Sequence, residues 1–316
     1  MRLRKSLNDR LLGWKMAGGI RETIAGMVER GSRNMMVVIG LSIMIVMVAL
    51  ALLAPFLPMA DPTPSELHPE DQTLPPHWWG WFGYNVSKGD GHLFGTDELG
   101  RDVFSRVIWG ARVSLTVATL AVFFSLVIGV MLGLTAGYFG GYVDYIIAGT
   151  IDLFWTFPAF LLALAFAAAL GPSLTNVILA ISISYWAGFA RLMRGQALTV
   201  RERLFVEASR ALGAKNIRIM FTHVLPNCLA PLIVWASIGV ADAITIESSL
   251  SFLGVGTQPP TPSWGYMLFR GIPYLEEAPW VATFPGIVLL ITILGFNLLG
   301  DGLRDVLDPR MKGMRR

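Results

Sequence analysis

RERLFVEASRALGAKNIRIMFTHVLP, residues 201–226, is the longest stretch between two hydrophobic segments that keeps a regular helical pattern. Gly213 follows the last periodic residue, where a left-handed C-cap would end a helix. A second helical pattern runs from about Asn216 to Leu225, and we expect Pro226 to bound it. Residues at helical spacing predict one apolar stripe on the first helix, namely Leu204, Phe205, Ala208, Ala211 and Leu212.

Charged residues occupy another face of the same helix. Arg203, Glu207 and Arg210 follow each other at i, i+4 and i+7, so Glu207 can pair with either arginine. The whole element is too short to be a domain. We interpret it as a compact helical surface, outside the membrane, that another protein grips.

Composition indicates an integral membrane protein. Of the 316 residues 54% are apolar and only 15% are charged, whereas a globular domain has about 25% charged residues. Cys228 is the only cysteine and the four histidines are scattered, so the sequence predicts no disulfide framework and no metal site. We find no phosphate-binding loop and no catalytic motif, so we expect no catalytic residues and no bound cofactor in this chain.

Six apolar segments are each long enough to cross a hydrocarbon core of roughly 30 Å. They predict an all-α protein with six transmembrane helices, over residues 35–57, 113–138, 142–170, 174–192, 228–252 and 281–299. Pro158 should kink the third. A cleaved signal peptide is the alternative for the first, but its length exceeds the roughly 7–15 residues of a signal core.

The distribution of basic residues orients the chain. With an even number of spans both termini share one side, and placing them inside leaves 20 of the 25 Lys and Arg residues cytoplasmic. This bias predicts that residues 1–34, 201–226 and 302–316 are cytoplasmic and that 58–112 is an outer loop. Residues 113–301 then form a five-helix core that includes the 201–226 element.

The two long outer loops differ. Residues 58–112 contain Trp78, Trp79 and Trp81, which we expect near the lipid headgroups. Residues 254–280 contain five prolines and should fold back on themselves without a regular helix.

Small residues recur every four positions in two of the spans. Gly129, Gly133 and Gly137 do so in the second, and Ala159, Ala163 and Ala167 in the third. Such faces let helix backbones approach closely. We favour packing within this chain over packing against a partner membrane subunit.

Acidic residues inside the spans need partners or a function, because isolated charges there are costly. We expect Asp152 to form a structural ion pair with Arg191 or Arg194, in preference to a transport role. Asp242 and Glu247 are candidates for a translocation path. Asp242 is the better one, with a buried, hydrogen-bonded acid as its alternative; Glu247 is expected to bond to outer-loop backbone or a neighbouring helix.

Two other classes of membrane protein fit less well. A secondary transporter favours several central charges and paired broken helices in repeated halves, and we find neither. A membrane enzyme needs a polar cluster, for which residues 97–102 are the contender, but GTDELGRD is more typical of a helix start with acids in its first turn. Transport driven by an energy source on another polypeptide is more consistent with the sequence than either of these classes.

The spacing in 201–226 resembles the EAA loop of ABC importer permeases. Glu207-Ala208-Ser209, then Gly213, then His223-Val224-Leu225-Pro226 match EAA-x3-G-x9-I-x-LP, with Ser209 at the third position and His223 at the Ile position. The HVLPN form is similar to the peptide and nickel branch. Residues 94–115, 247–265, 279–286 and 296–310 resemble the C-type permease of dipeptide and oligopeptide importers, whereas the tail and much of 59–92 lie outside the likeness.

That resemblance implies a bacterial inner-membrane assembly. The expected partners are a B-type permease, two cytoplasmic ATPases that hold ATP and Mg, an extracytoplasmic binding protein and a peptide substrate. Nickel chelates and other small solutes remain alternatives, as does a peptide receptor or channel without ATPases. The expected contacts with the ATPase come from Arg203, Leu204, Phe205, Glu207, Ala208, Ser209, Arg210, Ala211, Gly213 and Ala214.

Overall fold

The computed structural model describes residues 31–32, 34–63, 69–82 and 91–307. The expected cytoplasmic tail 1–34 lies almost entirely outside these residues, as does the position of the Trp81 side chain. The first six residues of the expected C-terminal tail, 302–307, continue the last helix. No β-strand occurs in the described part of the chain.

Helices account for most of the described chain. The α-helices, numbered in chain order, are α1 Met35–Leu53, α2 Val103–Phe139, α3 Gly141–Thr156, α4 Ala159–Leu170, α5 Leu174–Arg201, α6 Leu204–Ala211, α7 Asn216–Ile219, α8 Leu225–Phe252, α9 Trp264–Gly271 and α10 Trp280–Leu307. A π-helix, Met220–Val224, joins α7 to α8. Short 3-10 helices cover Ala54–Phe56, Pro69–Asp71, His77–Phe82 and Ile272–Tyr274.

The described residues contain 5 helices long and apolar enough to cross a membrane, or 6 spans if α3 and α4 count as one broken span. The predicted six-span, all-α architecture is therefore confirmed. The third span departs from a simple kink, because α3 and α4 are bent by 88°. Pro158 explains the break: it lacks an N–H, and it holds Phe157 in an extended conformation with ψ of 137°.

Several helices extend beyond the membrane-spanning segments that the sequence predicts. The second helix begins at Val103, ten residues before the expected 113, because the Asp102 side chain caps it by accepting from the Ser105 N–H at 2.7 Å. The fourth continues to Arg201 and the sixth to Leu307. Pro226 does not end the 216–225 element either. It lies in the first turn of α8, directly after the π-helix that joins this element to α8.

The second outer loop contains a regular helix, contrary to the expectation from its prolines. Ser263 caps α9 by accepting from the Tyr266 N–H at 3.3 Å. Trp264 anchors it, since its indole is fully buried and donates to the Val107 carbonyl of α2 at 2.9 Å. The loop is thereby held against the start of α2.

The glycines of α2 bring that helix against α5. A Cβ added at Gly129 would lie 2.6 Å from the Trp186 carbonyl, and one at Gly137 would lie 2.7 Å from the Arg194 carbonyl. Gly133 is equally close to Ala190. Packing of these glycines within one chain is thus confirmed, and close backbone contact is the reason for glycine at this spacing.

The alanines of α4 behave in the same way. Ala163 and Ala167 are fully buried in the main hydrophobic core, while Ala159 at the start of α4 is only partly buried. The main core thus extends from the tight α2–α5 pair to α4, while the buried residue of α3, Ile151, belongs to a separate small cluster with Trp186, Ala187 and Ala190.

Candidate functional sites

The apolar stripe of α6 faces solvent. Leu204 is 82% exposed, Leu212 88% and Phe205 43%, and Ala208 and Ala211 are exposed as well. Only Val206 turns inward, where it is fully buried. Large apolar side chains grouped on an exposed surface mark a site of protein association.

Gly213 ends α6 with the predicted left-handed cap. Its φ is +79°, its N–H donates to the Arg210 carbonyl at 2.9 Å, and the Ala214 N–H donates to the Ser209 carbonyl at 3.1 Å. These two bonds define a Schellman motif. The Ser209 hydroxyl donates to the Phe205 carbonyl at 2.8 Å and therefore points along its own helix.

The charged side chains at α6 do not form the ion pairs that their spacing in the sequence allows. Among the described residues, Glu207 forms no ion pair with Arg203 or Arg210. The Arg210 guanidinium instead lies 5.9 Å from the centre of the Tyr138 ring. Glu207 is exposed, so its carboxylate is available to a partner next to the apolar stripe.

Two ion pairs connect α3 to α5. Arg191 Nη2 lies 2.5 Å from Asp152 Oδ1, which is one of the two pairings expected. Arg194 binds Asp144 instead, through Nε at 2.5 Å and Nη2 at 2.8 Å. Asp144 was missed. Antiparallel geometry supplied a signal, because an acid eight residues before Asp152 faces a base that follows Arg191 on the neighbouring helix.

The two candidates for a translocation path occupy different environments. Asp242 is exposed, and its Oδ2 accepts a hydrogen bond of 2.5 Å from the Tyr185 hydroxyl of α5. Glu247 is fully buried and accepts from Ser114 at 2.9 Å and Ser251 at 2.8 Å. The expectation that Glu247 lines a path does not fit this position, because serines on α2 and α8 enclose its carboxylate.

A buried charge network lies at the N-terminal end of α2. The Asp97 carboxylate accepts from the Arg101 Nε at 2.7 Å and lies 3.4 Å from the Arg106 Nε. Glu98 accepts from the Arg270 Nε of α9 at 2.8 Å, and this bond raises the pKa of Arg270. Asp97 and Glu98 thus form a turn before α2. The prediction that these acids lie in the first turn of the helix is wrong.

None of the described His, Cys, Asp and Glu side chains form a cluster of three or more suited to a metal ion.

Comparison with known families gives two matches along the chain. Residues 129–313 match the model of the binding-protein-dependent transport system inner membrane component. Residues 27–76 match the N-terminal TM domain of oligopeptide transport permease C. Together the two models cover the first span and the core from Gly129, inside α2, onward.

Similar proteins have names from peptide transport. The chain is 42% identical over 280 residues to the dipeptide transport system permease protein DppC of Alkalihalophilus pseudofirmus, covering 89% of this chain and 88% of that protein. It is 44% identical over 274 residues to the di/tripeptide permease DppC of Pseudomonas aeruginosa, covering 86% and 88%. Over 236 residues it is 43% identical to the glutathione permease GsiD of Escherichia coli, covering 74% and 78%.

Solved structures show the same fold. A chain of the MetNI methionine ABC transporter in an inward-facing conformation aligns with a TM-score of 0.52 and 20% identity, covering 64% of this chain and 97% of that chain. At this identity the likeness concerns the fold alone.

Proposed function

Because this chain belongs to the inner-membrane components of binding-protein-dependent transport systems, we propose that it is the C-type permease subunit of an ATP-driven importer of di- or oligopeptides. The match to oligopeptide permease C at the N-terminus and the names of the relatives support peptides as the cargo. Nickel chelates rank below peptides for the same reason.

The observation that carries the proposal is the exposed apolar stripe of α6. Leu204 and Leu212 are more than four-fifths exposed on a helix of only eight residues, held at its far end by the Gly213 cap. Without a partner this surface would leave large apolar side chains in water. We assign its partner as one of two ATPases, which bind ATP and Mg and supply the energy.

The remaining partners follow from the assembly. A B-type permease completes the channel, and an extracytoplasmic binding protein delivers the peptide. Basic residues concentrate at the tails and in 201–226, which supports a cytoplasmic position for α6 and for both termini. The protein then resides in the bacterial inner membrane, with 58–112 and 254–280 on the outer side.

Short connections link α6, the proposed ATPase contact, to two membrane-spanning helices. Only Glu202 and Arg203 separate α6 from the end of α5, and α7 and the π-helix connect it to α8. Movement of α6 by the ATPase therefore displaces α5 and α8 together. These two helices carry Tyr185 and Asp242, the hydrogen-bonded pair of the candidate path.

The test uses the complete importer in proteoliposomes with external binding protein. Glu207→Lys reverses a charge beside the apolar stripe, and we expect ATP-driven uptake of labelled alanyl-alanine to fall at least tenfold. Glu277→Lys is the matched control, since Glu277 is equally exposed but lies in the outer loop, and its uptake should equal that of wild type.

Two results would contradict the proposal. Normal uptake by correctly inserted Glu207→Lys importer would exclude the coupling role. Uptake that persists without the ATPases, driven by an ion gradient, would favour a secondary transporter.

A further inference from the structure

Asp242 differs from the other acids described within the spans. Asp144 and Asp152 each bind an arginine, and three serines surround Glu247. Asp242 accepts only from the neutral phenol of Tyr185, and none of the described Lys, Arg and His side chains pairs with it. An exposed carboxylate without a cation is costly inside a membrane, so it calls for a functional explanation.

A cavity of about 260 Å³ lies at the break between α3 and α4, and Tyr185, the hydrogen-bond partner of this carboxylate, is one of its lining residues. Tyr185 belongs to its wall, as do the indoles of Trp155 and Trp235. Gly188 creates the space between the indoles. A Cβ there would lie 3.0 Å from Trp155 Cζ3 and 3.6 Å from Trp235 Nε1.

The spacing on α8 places Asp242 on the cavity side of that helix. Trp235 and Asp242 are seven residues apart, which is two helical turns, so they share a face. Gly239 lies between them and packs on Tyr185, since a Cβ there would lie 3.3 Å from Tyr185 Cε1. One phenol and two indoles therefore line a single opening, which we call the break cavity, and the Asp242 carboxylate is hydrogen-bonded to that phenol.

Such a set of side chains has a definite ligand chemistry. A carboxylate attracts a cation, and the faces of aromatic rings add to that attraction where water is scarce. The nearby positive charge of Arg191 is already balanced, because it binds Asp152 while it lies 5.0 Å from the centre of the Trp155 ring. The break cavity is thus suited to a small organic cation with an apolar body.

We propose that the break cavity holds the α-ammonium group of the peptide during its passage, with Asp242 as the counter-charge. This assignment rests on the proposed function. The α-ammonium group is common to all free peptides, so a site that reads it accepts cargo regardless of side chains. The indole walls then contact the peptide's carbon skeleton without selecting among side chains.

The test measures charge preference directly in the full importer. In a Cys228→Ala background, Ala159→Cys places one thiol in this subunit at the cavity wall. Its modification by a trimethylammonium methanethiosulfonate and by the sulfonate analogue is followed by mass spectrometry of the subunit. The measured quantity is the rate of modification by the cationic reagent divided by the rate of modification by the anionic one. Adding Asp242→Asn should lower this ratio about tenfold, and Asp242→Glu should restore it.

A matched thiol controls for global effects. Thr199→Cys is exposed at the far end of α5, outside the break cavity, and its ratio should not respond to Asp242→Asn. Alanyl-alanine at millimolar concentration should slow modification at Ala159→Cys, whereas N-acetyl-alanyl-alanine should not. This pair of probes separates the ammonium group from the peptide body.

The outcomes distinguish this inference from the proposed function. An unchanged ratio in Asp242→Asn, or equal protection by both peptides, would overturn the ammonium site even if the importer takes up peptide. If the cavity thiol shows the predicted charge preference and Asp242→Asn removes it, but the importer takes up no peptide, the cation site stands and the peptide cargo is wrong. If Asp242→Asn does not assemble, a ratio in Asp242→Glu that falls to parity would also overturn the site.

Discussion

The two ends of the helix bundle differ in how their polar and apolar side chains are covered. At the end where α2 begins, Asp97, Glu98, Arg101 and Arg106 are buried and neutralise one another within a few ångströms. At the end that carries α6, apolar side chains face outward and a carboxylate has no ion pair among the described residues.

The charge network is satisfied by contacts within this chain, whereas the apolar surface of α6 is not covered by any described residue. The charge network at the start of α2 holds α9 and α2 together through contacts inside one polypeptide. The α6 surface has its capping bonds, but its large apolar side chains stay exposed. Substitutions in the charge network should therefore reduce stability, and substitutions on α6 should reduce coupling.

The largest effect on stability is expected from Asp97→Ala. Asp97 accepts from the backbone of Leu99 and Arg101 and neutralises two buried arginines. Removing it leaves Arg101 with only Glu98, at 3.6 Å, among the described acids and takes from Arg106 its ion pair with Asp97, at a cost of about 3–5 kcal/mol in the free energy of unfolding. Thermal unfolding of the purified permease pair would measure this. Glu276→Ala, at an exposed position of the same side, should change little.

An intermediate effect is expected from Gly213→Ala. The φ of +79° strains any residue with a Cβ, at roughly 1–2 kcal/mol. Because the strain falls on the α6 cap, ATP-driven uptake should drop more than stability does. Gly195→Ala is the control, since Gly195 lies inside α5 with open space around its Cβ position, and alanine there should stabilise the helix slightly.

The smallest effect on stability, with a large effect on function, is expected from Leu212→Ser. Leu212 is 88% exposed, so its loss should change the free energy of unfolding by less than about 0.5 kcal/mol. Uptake should nevertheless fall, together with co-purification of the ATPases. Normal co-purification would show that the two ends of the molecule do not differ as described.

Patterns with a fixed period predicted the fold well. Apolar runs gave the six spans, the four-residue glycine spacing gave a close helix contact within this chain, and Gly213 gave the end of α6. Each of these features depends on residues close in sequence. The assignment to a permease family likewise rested on the short spacing from Glu207 to Pro226.

Features that depend on distant residues were harder to predict. Arg106 lies in a segment that the sequence predicts to be a loop. Its Nη1 donates to the Pro62 carbonyl at 2.7 Å, and this contact with a distant residue supports a helix at that position. α9 is short and stands between prolines, and only the burial of Trp264 makes it stable. The Asp144–Arg194 pair joins residues 50 positions apart.

The glycine contact between α2 and α5 also sets how stiff the molecule is. Two helices in backbone contact resist shear, and Arg201 joins their ends by donating to the Gly137 carbonyl at 3.0 Å. A push applied at Arg201 is thus conducted along about 42 Å of α5 with little lost to bending. At Pro158, by contrast, the helix is interrupted between α3 and α4, so such a push is not carried by one continuous helix on the α3–α4 side of the break cavity.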